Sequence, residues 1–156
     1  MSTTLENAKQ TLEQRIGERS EPSDWFEITQ DRVNQFAEAT LDRQWIHVDP
    51  DRAKQGPFGA PIAHGQLTMS IMSFLPGSGG TGLPALEGMK MGINYGWNKV
   101  RFPAPVPVGA HVRTSSVLKS VEIKGNMLEL VNELTMEIKG SDKPACVADS
   151  VLRLVF

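Results

Sequence analysis

Residues 65–75 read Gly-Gln-Leu-Thr-Met-Ser-Ile-Met-Ser-Phe-Leu and contain no charged side chain. The polar residues after Gln66 are small, and apolar residues fall on every side of the helix that this segment would form. A helix that is apolar nearly all round is buried nearly all round. The segment therefore predicts a central helix at residues 65–75, ended by Pro76.

The sequence after residue 88 changes to the two-residue period of β-strands. Alternate positions carry apolar side chains: Met89, Met91, Ile93, Tyr95 and Trp97. The apolar parity then switches, which predicts a bulge near Asn98 or Lys99. Further alternating stretches are separated by residues 125–126 and 140–142, which are typical of hairpin turns. A buried helix with a run of long antiparallel strands makes the predicted fold class α+β.

The N-terminal part predicts two helices, at residues 3–16 and from about residue 30 to residue 39, with a brief strand at residues 25–29 between them. A chain of 156 residues is typical of one domain. We therefore expect an N-terminal helix and linker at residues 1–22 and a single domain at residues 23–156. A glycine-rich connection at residues 77–84 lacks the ending of a phosphate-binding loop, so we expect no nucleotide site there.

The composition excludes several classes of protein. A formal net charge of −2 argues against a nucleic-acid partner. The single cysteine, Cys146, excludes an internal disulfide framework and a multi-cysteine metal site. No signal-peptide pattern begins the sequence, and no apolar run approaches the length of a membrane span. We therefore expect a cytoplasmic protein without a membrane partner.

Asp42 and His47 lie five residues apart in a segment too polar to be core. An imidazole with a pKa near 6.5 can exchange protons at neutral pH, and a nearby carboxylate can orient the ring and a water molecule. Taken alone, an Asp and a His at this spacing are usually structural residues. Asp49 is most simply the N-cap of a short helix, because Pro50 follows it.

Two linked motifs surround this pair. Their matching positions are Thr40, Asp42, His47, Asp49, Phe58, Gly59, Pro61, Ile62, Ala63, His64 and Gly65. Together with residues 99–109, they resemble the MaoC-like hydratase/dehydratase family, and especially its nodulation-protein-N-like branch. The sequence departs from the family at Leu41, where glycine is frequent, and at Gln44-Trp45, which replaces a common Asn-Pro.

The resemblance implies a hotdog fold, in which a long antiparallel sheet wraps around the central helix. It also implies that Asp42 and His47 hold one water, which adds across the C2=C3 bond of a trans-2-enoyl thioester. The product is an (R)-3-hydroxyacyl thioester, and the reverse reaction is a dehydration. Gly65 would offer backbone N–H groups to the thioester carbonyl. The family further implies a homodimer, a coenzyme A thioester as substrate, and neither a metal nor a redox cofactor.

Seven residues are candidates for substrate binding: Gln44, Trp45, Phe58, His64, Ser73, Lys99 and Arg101. Trp45 would add bulk near the pocket. Lys99 and Arg101 could meet the phosphates of coenzyme A, although a solvated strand edge is the commoner arrangement. His64 would touch the thioester end or support the loop through a backbone hydrogen bond. Ser73 would line the pocket or serve as a small packing residue.

Three other functions compete with a hydratase of coenzyme A thioesters. A thioesterase on the same fold would need a carboxylate on the central helix, and residues 65–75 contain no Asp or Glu. A non-catalytic subunit that binds acyl chains is disfavoured by the intact pair of Asp42 and His47. A dehydratase of acyl-carrier-protein thioesters uses the same chemistry, so the sequence does not separate it from the coenzyme A case.

Overall fold

The computed structural model describes residues 3–77 and 83–156. Most of the predicted glycine-rich connection, at residues 78–82, lies outside the described residues. The helices are α1 (Thr4–Glu13), α2 (Gln30–Thr40), α3 (Trp45–Val48), α4 (Pro50–Lys54) and α5 (Gly65–Ile71). The strands are β1 (Phe26–Glu27), β2 (Met91–Arg101), β3 (His111–Lys124), β4 (Met127–Ile138) and β5 (Cys146–Val155). The predicted α+β class is confirmed.

The strands form one antiparallel sheet in the order β1-β3-β4-β5-β2. The predicted turn at residues 125–126 joins β3 to β4, and Gly125 takes the left-handed conformation with φ +64°. The predicted bulge in β2 is also confirmed, because the pairing with β5 shifts between Asn98 and Arg101. Lys99 lies inside this bulge with φ +52°. Strand β2 is last in the strand order and forms one edge of the sheet.

One face of the sheet carries two apolar clusters. The first packs α5 and the residues after it against the sheet, and its buried members include Leu67, Met72, Leu75, Leu134, Met136 and Ala148. The second packs α1 on the same face through Ala8, Leu12, Leu128, Leu130 and Leu154. Residues of the N-terminal helix thus share the core of the sheet. The domain boundary at residue 22 stays a prediction.

Helix α5 is shorter and more exposed than the sequence predicted. It ends at Ile71, four residues before the predicted end, and turns continue to Phe74. Leu67 and Thr68 are buried, but Phe74 is 73% exposed. The expectation of burial nearly all round is therefore wrong for this single chain. An apolar pattern does not distinguish a chain's own core from an apolar surface left for a partner.

None of the helices among residues 3–77 and 83–156 has the length and apolar character that crossing a bilayer requires.

Leu41 ends α2 in a backbone conformation that favours glycine. Its φ is +70°, and its side chain is 72% exposed. This conformation costs an L-residue roughly 1 kcal/mol or more, whereas glycine adopts it freely. We expect Leu41→Gly to raise the free energy of unfolding by about 0.5–1 kcal/mol, because relief of strain outweighs the added entropy of the unfolded chain.

Urea unfolding at pH 7.5 measures this change. Leu41→Ala is the matched control: it removes the same exposed side chain but keeps a Cβ in the left-handed region, so it should not stabilise. A Leu41→Gly midpoint at or below that of the wild type would contradict the assignment of strain to this residue.

Candidate active site

The connection between α2 and α4 places Asp42 and His47. After the left-handed turn at Leu41, the backbone N–H of Gln44 donates to Asp42 Oδ1 at 3.4 Å. His47 follows on the single turn of α3, which the sequence did not predict. The Nε2 of Gln30 on α2 donates to the His47 carbonyl oxygen at 2.8 Å and ties this turn to α2. The short polar segment is thus ordered by backbone contacts rather than by apolar burial.

The His47 ring is buried, and a backbone contact fixes its tautomer. The residue is 6% exposed, and its Nδ1 lies 2.6 Å from the carbonyl oxygen of Ile62. A carbonyl oxygen can only accept a hydrogen bond, so Nδ1 carries the proton and donates. In the neutral ring the lone pair is therefore on Nε2. This leaves Nε2 as the basic atom of His47.

His64 lies behind His47 and is only 3% exposed. Its Nε2 donates to the backbone carbonyl oxygen of Asp42 at 2.8 Å. Its ring stacks on that of His47, with centroids 3.8 Å apart and planes 26° apart, and Phe36 packs beside it at 4.9 Å. The hydrogen bond corresponds to the loop-supporting alternative of the sequence analysis. Contact between His64 and substrate stays a prediction.

Asp42, His47 and His64 bring their polar atoms together. One carboxylate oxygen and one nitrogen of each ring lie no more than 4.8 Å from one another. Two hydrogen bonds of ordinary length that meet tetrahedrally at one water span about 4.6 Å. The exposed carboxylate of Asp42 and the buried imidazole of His47 therefore have the spacing needed to hold one water between them.

The same three residues are a poor metal site. His47 Nδ1 and His64 Nε2 are both committed to backbone carbonyl oxygens. The remaining lone pairs lie in the planes of two stacked rings that are 26° from parallel. An ion shared by both nitrogens would have to sit out of the plane of at least one ring. The geometry therefore disfavours a metal ion held by both imidazoles.

Gly65 begins α5 where the ring of Phe102 lies against the backbone. A Cβ built on Gly65 would be 3.1 Å from three atoms of that ring, so the contact depends on the absence of a side chain. The N-cap residue, His64, makes no side-chain bond to the first turn of the helix. The Thr68 hydroxyl donates to the Gly65 carbonyl oxygen at 2.6 Å. The first N–H groups of α5 are therefore not engaged by a capping side chain.

A cavity of about 310 Å³ lies beside these residues and is mostly apolar. Three of the predicted site residues line it: His47, Phe58 and Gly65. Ile62 and Ala63, which match the family motif, line it as well. The sequence did not mark its other walls as site residues, and these are Thr68, Phe102, Ala104, Pro105, Val106 and Ala145. Residues 102–106 fall within the stretch 99–109 that resembles the family, and this resemblance could have marked them as site residues. Nothing in the sequence around Ala145 marks it as a site residue, because only the fold brings it to the cavity.

The remaining predicted site residues do not line this cavity. The Trp45 ring packs over Gly56 and under the guanidinium of Arg52, which is 4.4 Å from the ring centroid. Ser73 lies in the turn after α5. Arg101 Nη1 donates to the carbonyl oxygen of Lys99 at 3.3 Å, beside the bulge of β2. Substrate contacts by these residues and by Gln44 stay predictions.

Burial of the ring lowers the pKa of His47 below its ordinary value near 6.5. The hydrogen bond to Ile62 acts in the opposite direction, the charge of His64 lowers the pKa again, and the carboxylate of Asp42 raises it. The net shift is downward. His47 is therefore neutral at pH 7, with Nε2 free to accept a proton.

This shift predicts a pH dependence of stability. The unfolded chain takes up a proton near pH 6.5, whereas folded His47 does so only at lower pH. The contribution of His47 to the free energy of unfolding is therefore fully present above about pH 6.5. It is lost as the pH falls through the pKa of His47 in the folded state. We expect the Tm to fall between pH 7.5 and 5.5, and to fall less in His47→Asn. Equal slopes in scanning calorimetry would contradict the lowered pKa.

Comparison with known proteins places this geometry in a family. Residues 11–138 match the sequence profile of the MaoC-like domain. The chain is 53% identical over 140 residues to 3-hydroxyacyl-thioester dehydratase Z of Mycobacterium tuberculosis (strain ATCC 25618 / H37Rv), covering 89% of this chain and 90% of that protein. It is 40% identical over 144 residues to nodulation protein N of Rhizobium leguminosarum bv. viciae, covering 91% of this chain and 88% of that protein.

A solved structure supports the same assignment. The (R)-hydratase from A. caviae involved in PHA biosynthesis superposes with a TM-score of 0.65 and 25% identity, covering 86% of this chain and 95% of that one. The hotdog fold that the resemblance implied is thereby confirmed.

Proposed function

The chain belongs to the family of MaoC-like domains, and from this membership we propose that it adds water to a trans-2-enoyl thioester. The product is an (R)-3-hydroxyacyl thioester, and the enzyme also catalyses the reverse dehydration. The relatives named as 3-hydroxyacyl-thioester dehydratase and (R)-hydratase support a hydro-lyase. The observation that carries the proposal is the carboxylate of Asp42 within 4.8 Å of the imidazole of His47, which lines an apolar cavity.

In the proposed reaction, Asp42 and His47 hold one water. Nε2 of His47 takes a proton as the water oxygen forms a bond to C3, and the π electrons of C2=C3 move towards the thioester carbonyl. Asp42 accepts a hydrogen bond from the other O–H of the water, which stays on the oxygen, and stabilises the imidazolium that forms. The imidazolium then returns its proton to C2. The balance is one water added and no electrons exchanged, so the reaction itself requires no redox cofactor.

Gly65 is proposed to stabilise the developing enolate. The start of α5 presents backbone N–H groups that no side chain caps, at the positive end of the helix. The absence of a Cβ lets a thioester oxygen approach this backbone beside Phe102. One such donor contributes about 3 kcal/mol to transition-state stabilisation in other enzymes. The apolar cavity next to it would hold the acyl chain.

The test is the ultraviolet absorbance of the conjugated enoyl thioester, followed with crotonyl-CoA and with a longer trans-2-enoyl-CoA. Loss of absorbance and an (R)-configured product are the expected results, and the ratio of the two rates reports the chain length that the cavity accepts. Activity only when the same enoyl groups are carried by acyl carrier protein would assign that carrier instead. A folded protein inactive on all of these substrates would overturn the proposed function.

A homodimer is the proposed state in solution. Strand β2 is an edge of the sheet, and its apolar residues Met91, Ile93 and Tyr95 are exposed in the single chain, as is Phe74 after α5. A long exposed apolar edge is a surface for pairing with another strand. Sedimentation velocity at micromolar concentration should give twice the 17.1 kDa of one chain.

Ile93→Lys should shift this dimer towards the monomer because it places a charge on the exposed edge. Ile16→Lys is the matched control, since Ile16 is also exposed but follows α1. A wild type that sediments as a monomer at micromolar concentration would contradict the proposed pairing.

We also propose a cytoplasmic location. The one cysteine, Cys146, is free and buried, and burial raises the pKa of its thiol to about 11. A buried thiol with a raised pKa serves packing. A single free cysteine forms no disulfide within the chain, so the fold does not require an oxidising compartment. We propose neither a nucleic-acid nor a membrane partner, since the net charge is −2.

A further inference from the structure

Resting on the proposed function, we infer that His64 is a positioning residue, which holds Asp42 and His47 in place relative to Gly65 without touching the substrate. It makes three contacts at once. Its Nε2 donates to the Asp42 carbonyl oxygen at 2.8 Å, and its ring stacks on His47 at 3.8 Å. Its backbone is the N-cap of α5, directly before Gly65. One residue therefore connects all three residues assigned to the reaction, two through its side chain and Gly65 through its backbone.

The loop that carries Asp42 depends on this hydrogen bond. The other described bonds of Asp42 are long: its N–H lies 3.5 Å from Thr40 Oγ1, and its Oδ1 lies 3.4 Å from the N–H of Gln44. Both are at the weak end of the hydrogen-bond range, whereas 2.8 Å is a short N–H to carbonyl contact. The preceding residue, Leu41, is in the left-handed conformation and adds strain. Without the His64 donor, the backbone at Asp42 would lose its strongest tether.

The residue type at position 64 supports the same conclusion. His64 Nδ1 is buried and has no hydrogen-bond partner among the described residues. A buried polar atom without a partner costs about 1–3 kcal/mol. A residue needed only for packing between Phe36 and His47 could be a phenylalanine or a leucine, which would avoid that cost. The presence of a histidine at position 64 is explained by its other nitrogen, because Nε2 donates the hydrogen bond to the Asp42 carbonyl oxygen.

Two substitutions separate the contacts of His64. His64→Phe keeps a ring that can stack on His47 but removes the donor. His64→Gln lacks the ring but has an amide nitrogen that can reach the position of Nε2. We expect His64→Phe to lower kcat on the order of 100-fold, the loss typical of a catalytic group displaced by about 1 Å. KM should change little. The kcat of His64→Gln should be about tenfold higher than that of His64→Phe.

Matched controls are His111→Phe and His111→Gln, because His111 is exposed at the start of β3. Both should retain the kcat of the wild type. Rates are divided by the folded fraction, measured by circular dichroism at the assay temperature. If His64→Phe does not fold, His64→Gln is compared with the wild type instead. We still expect His64→Gln to have a lower kcat than the wild type, with an unchanged KM.

A double-mutant cycle tests whether His64 acts through Asp42. If it does, His64→Phe added to Asp42→Asn should lower kcat by much less than it does in the wild type. Full additivity would mean that His64 acts elsewhere, and would overturn the inference. A His64→Phe protein with the kcat of the wild type would overturn it as well.

Hydrogen exchange provides a readout that does not require activity. The amides of residues 42–44 should exchange faster in His64→Phe than in the wild type and should be partly protected again in His64→Gln. Unchanged exchange would overturn the inference, whatever the protein catalyses. An inactive wild type with the expected exchange pattern would instead overturn the proposed function alone.

Discussion

His47→Asn should lower kcat on the order of 1000-fold while leaving the Tm close to that of the wild type. The asparagine amide nitrogen can take the place of Nδ1 and still donate to the Ile62 carbonyl oxygen, which His47 contacts at 2.6 Å. What disappears is Nε2, the atom that would take the proton from water. Loss of a positioned general base costs typically 100-fold to 10,000-fold. The enoyl-thioester absorbance assay measures the rate, and calorimetry the stability.

His47→Gln is the informative comparison. Its amide nitrogen reaches the position of Nε2 rather than that of Nδ1, so the buried Ile62 carbonyl oxygen loses its donor. We expect a similar fall in kcat together with a loss of about 1–3 kcal/mol in the free energy of unfolding. An asparagine variant with kcat within tenfold of the wild type would remove His47 Nε2 from the mechanism.

The parts of the fold that sequence predicted are those specified by local patterns. The bulge in β2 followed from a change of apolar parity, and the turn at residues 125–126 from its turn-forming residues. Asp49 was predicted to cap α4, and its side chain accepts from the N–H of Arg52. In each case, the signal lies within a few consecutive residues of the sequence.

The parts that sequence did not predict depend on contacts between distant segments. The end of α5 was misplaced because the apolar run continues into Phe74, which is exposed in this chain. Ala145 and Phe102 line the cavity only because β5 and the segment after β2 meet there. The stack of His47 on His64 joins residues 17 positions apart. No periodicity in either segment encodes such a contact.

The site is assembled at a cost in stability. Leu41 is held with φ +70°, His47 is buried with a lowered pKa, and His64 Nδ1 has no hydrogen-bond partner among the described residues. Strain and unsatisfied groups of this kind cluster at functional sites, where the surrounding structure imposes them. All three features lie within one connected set of residues, and the apolar clusters of the sheet provide the offsetting stability.

Asp42→Asn should also lower kcat on the order of 1000-fold, with no measurable change in stability. The amide has nearly the same shape and keeps an oxygen that can accept from the Gln44 N–H, and the bond to His64 uses the backbone carbonyl oxygen. Asp42 is exposed, and exposed substitutions usually change the free energy of unfolding by less than about 0.5 kcal/mol. The lost charge is the one that would orient the water and stabilise the imidazolium of His47.

The pH profile of this variant distinguishes a catalytic carboxylate from a merely nearby one. The charge of Asp42 raises the pKa of His47, against the larger effect of burial. Its removal should lower that pKa further, so the residual kcat/KM of Asp42→Asn should persist to lower pH than that of the wild type. Asp51→Asn, in the exposed first turn of α4, is the control and should retain the wild-type rate and profile. If Asp42→Asn behaved like Asp51→Asn, Asp42 would be removed from the mechanism.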